Sequence, residues 1–306
     1  MTSSNDASVV DQALRIARGS PGELLAIVGP TATGKTSLAV ALAEAIGGEI
    51  ISADSVQIYR AFDVGSGKPS PSELARASHH LVGALDPLDH VDAAAWARLA
   101  EEAVASVRAR GRVPIVCGGT FLWVKALLFG LAEAPPADSA TRERHRAIAE
   151  AEGRPALHER LRSVDPTAAQ RLHPNDFVRV SRALEVHELT GDTMTALQNK
   201  HGFARPRHEA RLVGIACDPA VLTERITTRA RDWLGRGWAD EVRSLLDAGY
   251  GDARAMSSVG YAQVRAAVTG DLAVEDLETA IVRATRVFAR RQRTWLNHAN
   301  VAWLHP

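Results

Sequence analysis

The first clear hydrophobic segment, "LLAIVG" at 24–29, is an unbroken apolar run, the pattern of a strand buried on both faces. After a glycine-bracketed loop, apolar positions recur at helical spacing from Lys35 to Ile46, and Gly47-Gly48 closes that helix. The cycle then repeats. "GEIISAD" (48–54) predicts a second strand, 93–110 a helix stopped by Gly111, "VPIVCGG" (113–119) a third strand, and "FLWVKALLFG" (121–130) another helix. Such alternation predicts an α/β fold with a parallel sheet covered by helices on both faces. Residues 1–20, rich in small and polar side chains, are expected to form a loose tail.

At "APPADS" (134–139) the texture changes. From about 138 to 200 no segment reads as a strand; charged helical stretches such as "ATRERHRAIAEAEG" and "NDFVRVSRALEVHELTG" follow one another. This predicts an all-helical insertion over 134–207. "EARLVGIACD" (209–218) is apolar enough to rejoin the sheet, the rest to about Trp295 is mostly helical, and "VAWLHP" (301–306) is an edge strand or a tail. The expected organisation is a tail (1–20), a catalytic core (21–133 with 208–306) and the insertion.

The 306 residues are 46% apolar and 24% charged, with zero formal net charge. No overall field draws the chain to nucleic acid, so any such binding must use local patches. Cys117 and Cys217 both lie in apolar runs and are expected to be buried thiols, with neither a disulfide framework nor zinc spacing. No stretch reaches the ~18 apolar residues of a membrane span. The start of the chain lacks the apolar core of a signal peptide. A cytoplasmic protein with no membrane contact and no obligate protein partner is the expectation. Lysine occurs at only four positions, which makes Lys35 informative.

Residues 29–36, "GPTATGKT", match the phosphate-loop pattern G-x-x-x-x-G-K-[ST] between a predicted strand and a predicted helix. Gly29 and Gly34 let the backbone turn, so that the N–H groups of Pro30's successors Thr31, Ala32 and Thr33 converge. The helix start adds a positive dipole end. Lys35 supplies a point charge, and Thr36 offers a hydroxyl to magnesium. The third strand ends without an acid, but the second ends at Asp54. Two roles are open to that carboxylate: holding magnesium through water, or taking a proton from a nucleophile.

Asp54 stands at a strand's C-terminal end, where open α/β sheets bind ligands. Ser55, Val56, Gln57 and Tyr59 follow, with more neutral hydrogen-bonding capacity than a phosphate needs; an amide and an aromatic ring suit a nucleobase. Near the C-terminus, "IVRATRVFARRQRTW" has five arginines and no acid. Arg283, Arg286, Arg290 and Arg293 share one helical face, a stripe suited to a phosphate backbone, with Val282 and Phe288 available as anchors. The insertion adds Arg142, Arg144, Arg146, Arg179 and Arg182, interleaved with acids.

"GPTATGKT", "DSVQIY", "DVGSGKP", "CGGTFLWVKALL", "HPNDFVRVSRALEVHELTG", "SVGYAQ" and "RQRTWL" occur in that order, and the series resembles the tRNA dimethylallyltransferases from about residue 23 to 304. The resemblance implies a P-loop NTPase-like core and transfer of a dimethylallyl group from dimethylallyl diphosphate to N6 of the adenine beside the anticodon, at tRNA position thirty-seven. Diphosphate would be the leaving group, held with Mg2+. It implies that Asp54 is the general base, that Thr120 and Arg229 reach the diphosphate, and that tRNA lies against Asp54 to Gln57, Arg142, Val178 to Arg182 (Val178, Arg179, Val180, Ser181, Arg182), Val259, Gly260, Tyr261 and Gln263. "GSGKP" stands where many members have G-T-A-K-P; Ser66 keeps the hydroxyl and Lys68 the charge. Three competing readings are transfer to a free adenine nucleotide, a small-molecule kinase and a nucleotide-switched RNA-binding protein. The insertion and the arginine stripe argue against the first.

Overall fold

A computed structural model describes residues 4–297 and 299–306. The elements run α1 (Ser4–Arg18), β1 (Leu24–Val28), α2 (Lys35–Ile46), β2 (Gly48–Ser52), α3 (Pro71–Arg76), β3 (His79–His80), α4 (Ala93–Ala109), β4 (Val113–Gly118) and α5 (Phe121–Phe129). Five helices follow: α6 (Ser139–Ala151), α7 (Arg154–Val164), α8 (Pro166–Arg171), α9 (Phe177–Thr190) and α10 (Met194–His201). The chain ends with β5 (Ala210–Ile215), α11 (Pro219–Gly235), α12 (Trp238–Asp247), α13 (Tyr261–Thr269), α14 (Leu277–Leu296) and β6 (Val301–Leu304), with short 3-10 turns between α12 and α14.

Six parallel strands form one sheet in the order β3-β2-β4-β1-β5-β6. β1 is central and buried along its whole length, as its unbroken apolar run requires. It pairs with β4 on one side (Leu25 opposite Ile115) and β5 on the other (Leu25 opposite Arg211). The segment at 210–215 thus rejoins the sheet, and 301–304 is its edge strand. β3 is two residues long, too short for a periodicity to announce it.

The expected loose tail is corrected. Residues 1–3 lie outside the described residues, but Ser4–Arg18 is a helix, and Val9 and Ala13 are buried in the core against α2. Val9, Ala13 and Ile16 recur at helical spacing, which is the physical reason the segment folds onto the sheet. The Gln12 side chain also bonds the main chain of His305 at both its N–H and its carbonyl.

The chain divides into two compact units, Met1–Leu128 with Arg207–Pro306, and Phe129–Pro206. The second has its own core of Leu157, Leu161, Ala168, Ala169, Val180, Ala183 and Leu184, supplied by α7, α8 and α9. No described helix is long and apolar enough to cross a membrane.

Candidate active site

The turn from β1 to α2 wraps the phosphate loop. Gly29 (φ 148°) and Gly34 (φ 94°) take conformations that favour glycine, and Ala32 (φ 65°) is left-handed as well. The Thr33 hydroxyl donates to the Pro30 carbonyl at 3.0 Å, and the Lys35 ammonium donates to the same oxygen at 2.6 Å. Burial of the ammonium pushes the Lys35 pKa down to about 8; Arg229 lowers it further, while Cys117 and Asp54 act the other way. Cys117 is buried and pushed up to about 11 by that burial, whereas Cys217 is partly exposed, contrary to expectation. Thr36 makes no side-chain hydrogen bond among the described residues, unlike Thr31 and Thr33.

Arg229 reaches the loop from α11. Its guanidinium donates to the Thr31 hydroxyl at 2.8 Å and lies 4.6 Å from the centre of the Trp233 ring. Burial lowers its pKa to about 10, and Asp54 pulls it back up, so the carboxylate and the guanidinium act on each other. Asp54 follows β2. Its Oδ1 accepts the main-chain N–H groups of Val56 (2.9 Å) and Gln57 (3.2 Å), which leaves Oδ2 without a partner among the described residues. Thr120 stands at the exit of β4, where its Oγ1 accepts the Ser55 N–H at 3.2 Å and keeps its own proton free to donate. β2 and β4 are adjacent, which is why their two exits meet.

These groups share a cleft of about 360 Å³. Its polar lining includes Thr31, Asp54, Gly119, Thr120 and Arg229; its apolar lining includes Ile226, Trp233, Trp238, Ile281 and Phe288. Trp238 is held edge-on between Trp233 (5.5 Å) and Tyr261 (5.4 Å). A Cβ on Gly65 would stand 1.9 Å from Trp238 Nε1, and one on Gly260 2.4 Å from its ring, so both glycines are close-approach positions. Two buried donors of this lining, Trp238 Nε1 and Ser258 Oγ, have no partner among the described residues.

Several expected readers of substrate are committed elsewhere. Both ends of the Gln57 amide are used: Nε2 donates to the Ser66 and Gly67 carbonyls, and Oε1 accepts from Ser52. Tyr59 and Tyr261 are buried rather than available for stacking, and the Tyr261 hydroxyl donates to Glu241 at 2.6 Å. Ser66 and Lys68 bond within their own loop, to Phe62 and Asp63 and to Tyr59 and Asp63 respectively. Gly260 is buried and its N–H is taken by Gln263, whereas Val259 is exposed and lines the cleft.

On α14 the arginine face is real. Arg283, Arg286, Arg290 and Arg293 are exposed and unpaired among the described residues. The anchors differ from those expected: Ile281, Thr285, Ala289, Gln292 and Leu296 are buried, while Phe288 is exposed at the cleft. Trp233, Trp238 and Glu241 lie outside the quoted motifs, and Gln292 lies within "RQRTWL" but with no role assigned to it there.

Within the second unit, Arg142 forms a two-point ion pair with the buried Glu185 (2.9 and 3.1 Å), and Arg182 joins it at 2.5 Å. Burial opposes ionisation of Glu185, but the two arginines and the Asp138 N–H hold its carboxyl below the usual range. Arg179 pairs with Asp176 and Arg144 with Glu188. Val180 is core, and Ser181 is buried with its hydroxyl 2.9 Å from His145. Arg142 and Arg182 are thus among the insertion arginines that pair with acids, the Val180 and Ser181 side chains are buried, and Val178 is exposed.

A parallel sheet with a phosphate loop after its central strand, and a carboxylate at the exit of a neighbouring strand, defines a phosphate-loop α/β enzyme. A family model described as IPP transferase matches residues 57–299, and one described as isopentenyl transferase matches residues 22–85. The chain belongs to the IPP transferase family. It is 63% identical over 289 residues to a tRNA dimethylallyltransferase of Sorangium cellulosum, covering 94% of this chain and 92% of that one. A tRNA isopentenylpyrophosphate transferase of known structure from Bacillus halodurans is 34% identical, with a TM-score of 0.68 over 93% of this chain and 90% of its own. A eukaryotic dimethylallyltransferase, solved acting on tRNA, shares the fold at 23% identity, with a TM-score of 0.77 over 92% of this chain and 73% of that one.

Proposed function

We propose that this chain transfers a dimethylallyl group from dimethylallyl diphosphate to N6 of the adenine at tRNA position thirty-seven, in the anticodon stem-loop, and releases diphosphate. The observation that carries the reading is the sharing of one cleft by the phosphate-loop side, Thr31 with Arg229, by Asp54 with Thr120, and by the apolar side chains Ile226, Trp233 and Phe288.

The N6 lone pair is delocalised into the adenine ring, so the amine attacks only as its proton is removed. Asp54 Oδ1 is anchored on two main-chain N–H groups, and Oδ2 is the oxygen that receives that proton. As the N6–C1 bond forms, the C1–O bond breaks and its electron pair leaves with the diphosphate. The N–H groups of Ala32 and Thr33, Lys35, Arg229 and the Thr120 hydroxyl stabilise the charge that develops there, while the Thr31 N–H is taken by Gln292. Trp233, Ile226 and Phe288 suit a five-carbon apolar chain and exclude water from its allylic carbon.

The residues fit a magnesium ion carried in on the diphosphate: the Thr36 hydroxyl directly, and Asp54 through water. No group of three or more His, Cys, Asp or Glu exists among the described residues to build a separate protein cage. When bound, magnesium supplies positive charge to the leaving diphosphate. The exposed arginine face of α14 supports contact with the tRNA backbone.

The test is incubation with labelled dimethylallyl diphosphate, magnesium and either bulk tRNA or AMP. Label in tRNA at the anticodon-adjacent adenine is the expected result. Label in AMP alone indicates a free-nucleotide prenyltransferase, and ATP consumption without label indicates a kinase; either overturns the reading.

A further inference from the structure

Glu241, in the first turn of α12, carries a carboxylate that takes no part in the chemistry above. It accepts three successive main-chain N–H groups: Asp63 (2.9 Å) and Val64 (2.6 Å) on Oε2, and Gly65 (3.4 Å) on Oε1. Oε1 also accepts the Tyr261 hydroxyl at 2.6 Å. Consecutive N–H groups turned to one point form a nest for an anion, and here the anion is the protein's own.

The far end of this loop is tied to the active carboxylate. Gln57 Nε2 donates to the Ser66 carbonyl (3.2 Å) and the Gly67 carbonyl (3.0 Å), while the Gln57 N–H donates to Asp54 Oδ1 at 3.2 Å. Gly65 and Ser66 themselves line the cleft. A continuous path therefore runs from Glu241 through residues 63–67 and Gln57 to the group that takes the proton. Without Glu241, three N–H groups lose their partner, the loop must rearrange to find others, and the anchor on Asp54 Oδ1 moves with it.

We propose that Glu241 is a positioning residue for proton transfer, fixing the orientation of the Asp54 carboxylate through the 63–67 loop and Gln57; the proposal rests on the transferase reading above. An ångström of misplacement in a proton acceptor is enough to lower turnover by about 10²-fold. The substrate-binding groups Lys35, Arg229 and Thr31 are outside this path, so the loss falls on kcat and leaves KM for dimethylallyl diphosphate unchanged.

The experiment is a double-mutant cycle on the full chain, with E241A and E241Q each made alone and together with D54A, and kcat and KM measured by prenyl transfer to tRNA. E241A is expected to lower kcat about 10²-fold alone, and to slow the already impaired D54A enzyme no further. E241Q keeps one oxygen for Asp63 and Val64 and is expected to recover most of the turnover. If the alanine variant does not fold, the isosteric E241Q runs the same cycle, with a smaller loss of the same pattern. Equal losses in the two Asp54 backgrounds overturn the positioning role and leave Glu241 as a stability residue. A wild-type chain that labels no tRNA overturns the transferase reading itself, whereas an active wild type with additive losses overturns only the role of Glu241.

Discussion

The side-chain oxygen of Gln292 accepts the main-chain N–H of Thr31 at 2.9 Å, across a separation of 261 residues. The other end of the same amide donates to the Gly119 carbonyl at 3.0 Å. One buried amide on α14 thus fixes the phosphate loop against the exit of β4. Gly119 leaves room for it: a Cβ there would stand 2.3 Å from Gln292 Nε2. The helix that shows arginines to solvent holds the phosphate loop with its opposite face.

Gln292→Ala removes both bonds and leaves a buried N–H and carbonyl to find new partners. Inhibition by inorganic pyrophosphate is expected to weaken about tenfold, the cost of one such unsatisfied group. tRNA affinity, measured by filter binding, is expected to stay unchanged because Gln292 points inward. Unaltered pyrophosphate inhibition would show that the loop holds its shape without the amide.

Asp54→Asn keeps an oxygen to accept the Val56 and Gln57 N–H groups, so the local turn survives, but it deletes the base. Turnover is expected to fall at least about 10²-fold, as far as in Asp54→Ala, with tRNA affinity unchanged in both. An asparagine variant close to wild type would mean that Asp54 acts through its turn and not through its proton.

The phosphate loop and Asp54 were legible in the sequence because each is a local pattern: glycines at fixed offsets between a strand and a helix, and an acid at a strand end. The strands were legible for the same reason, except β3, which has only His79 and His80 and exists through its pairing with β2. The engagement of Gln57 and Tyr261 is not legible, because a residue's chemistry says what it can bond, not whether it is free. Their partners, Ser66 and Gly67 for one and Glu241 for the other, lie beyond any local window. That acids are interleaved with the insertion arginines is legible, but which arginine pairs with which acid is not, since Glu185 lies 43 residues from Arg142. Helix α1 reads as a tail from its polar composition, although Val9, Ala13 and Ile16 recur at the helical spacing that packs it on the core.

Burial holds the Lys35 ammonium down at about 8 in the free protein, so it loses its proton as pH rises through that value. A bound diphosphate favours the charged form, raises the pKa and draws a proton in. Pyrophosphate affinity is therefore expected to be full below about 8 and to decline above it. Pyrophosphate itself gains negative charge over this range, which acts in the opposite direction, so a decline reports the lysine. Calorimetry in two buffers of different ionisation enthalpy should reveal proton uptake on binding just above that pH. Lys35→Arg, which stays charged, should abolish the uptake. Affinity that is flat or rising with pH, with no uptake, would place the lysine's titration elsewhere.

Arg283 and Arg290 stand on the exposed face of α14, unpaired among the described residues, whereas Arg231 on α11 is already neutralised by Glu278 at 2.8 Å. A polyanion releases counterions only to arginines that are free to replace them. Replacing Arg283 and Arg290 together by alanine is expected to weaken tRNA binding and to reduce the slope of log affinity against log salt by about 1.5, two contacts' worth. The same measurement on Arg231→Ala should give the wild-type slope, since that charge is engaged within the protein. Both substitutions remove surface positive charge, so a general loss of electrostatic attraction would move both variants alike; only a backbone contact separates them. An unchanged slope in the Arg283/Arg290 variant would mean that the stripe faces solvent when tRNA is bound.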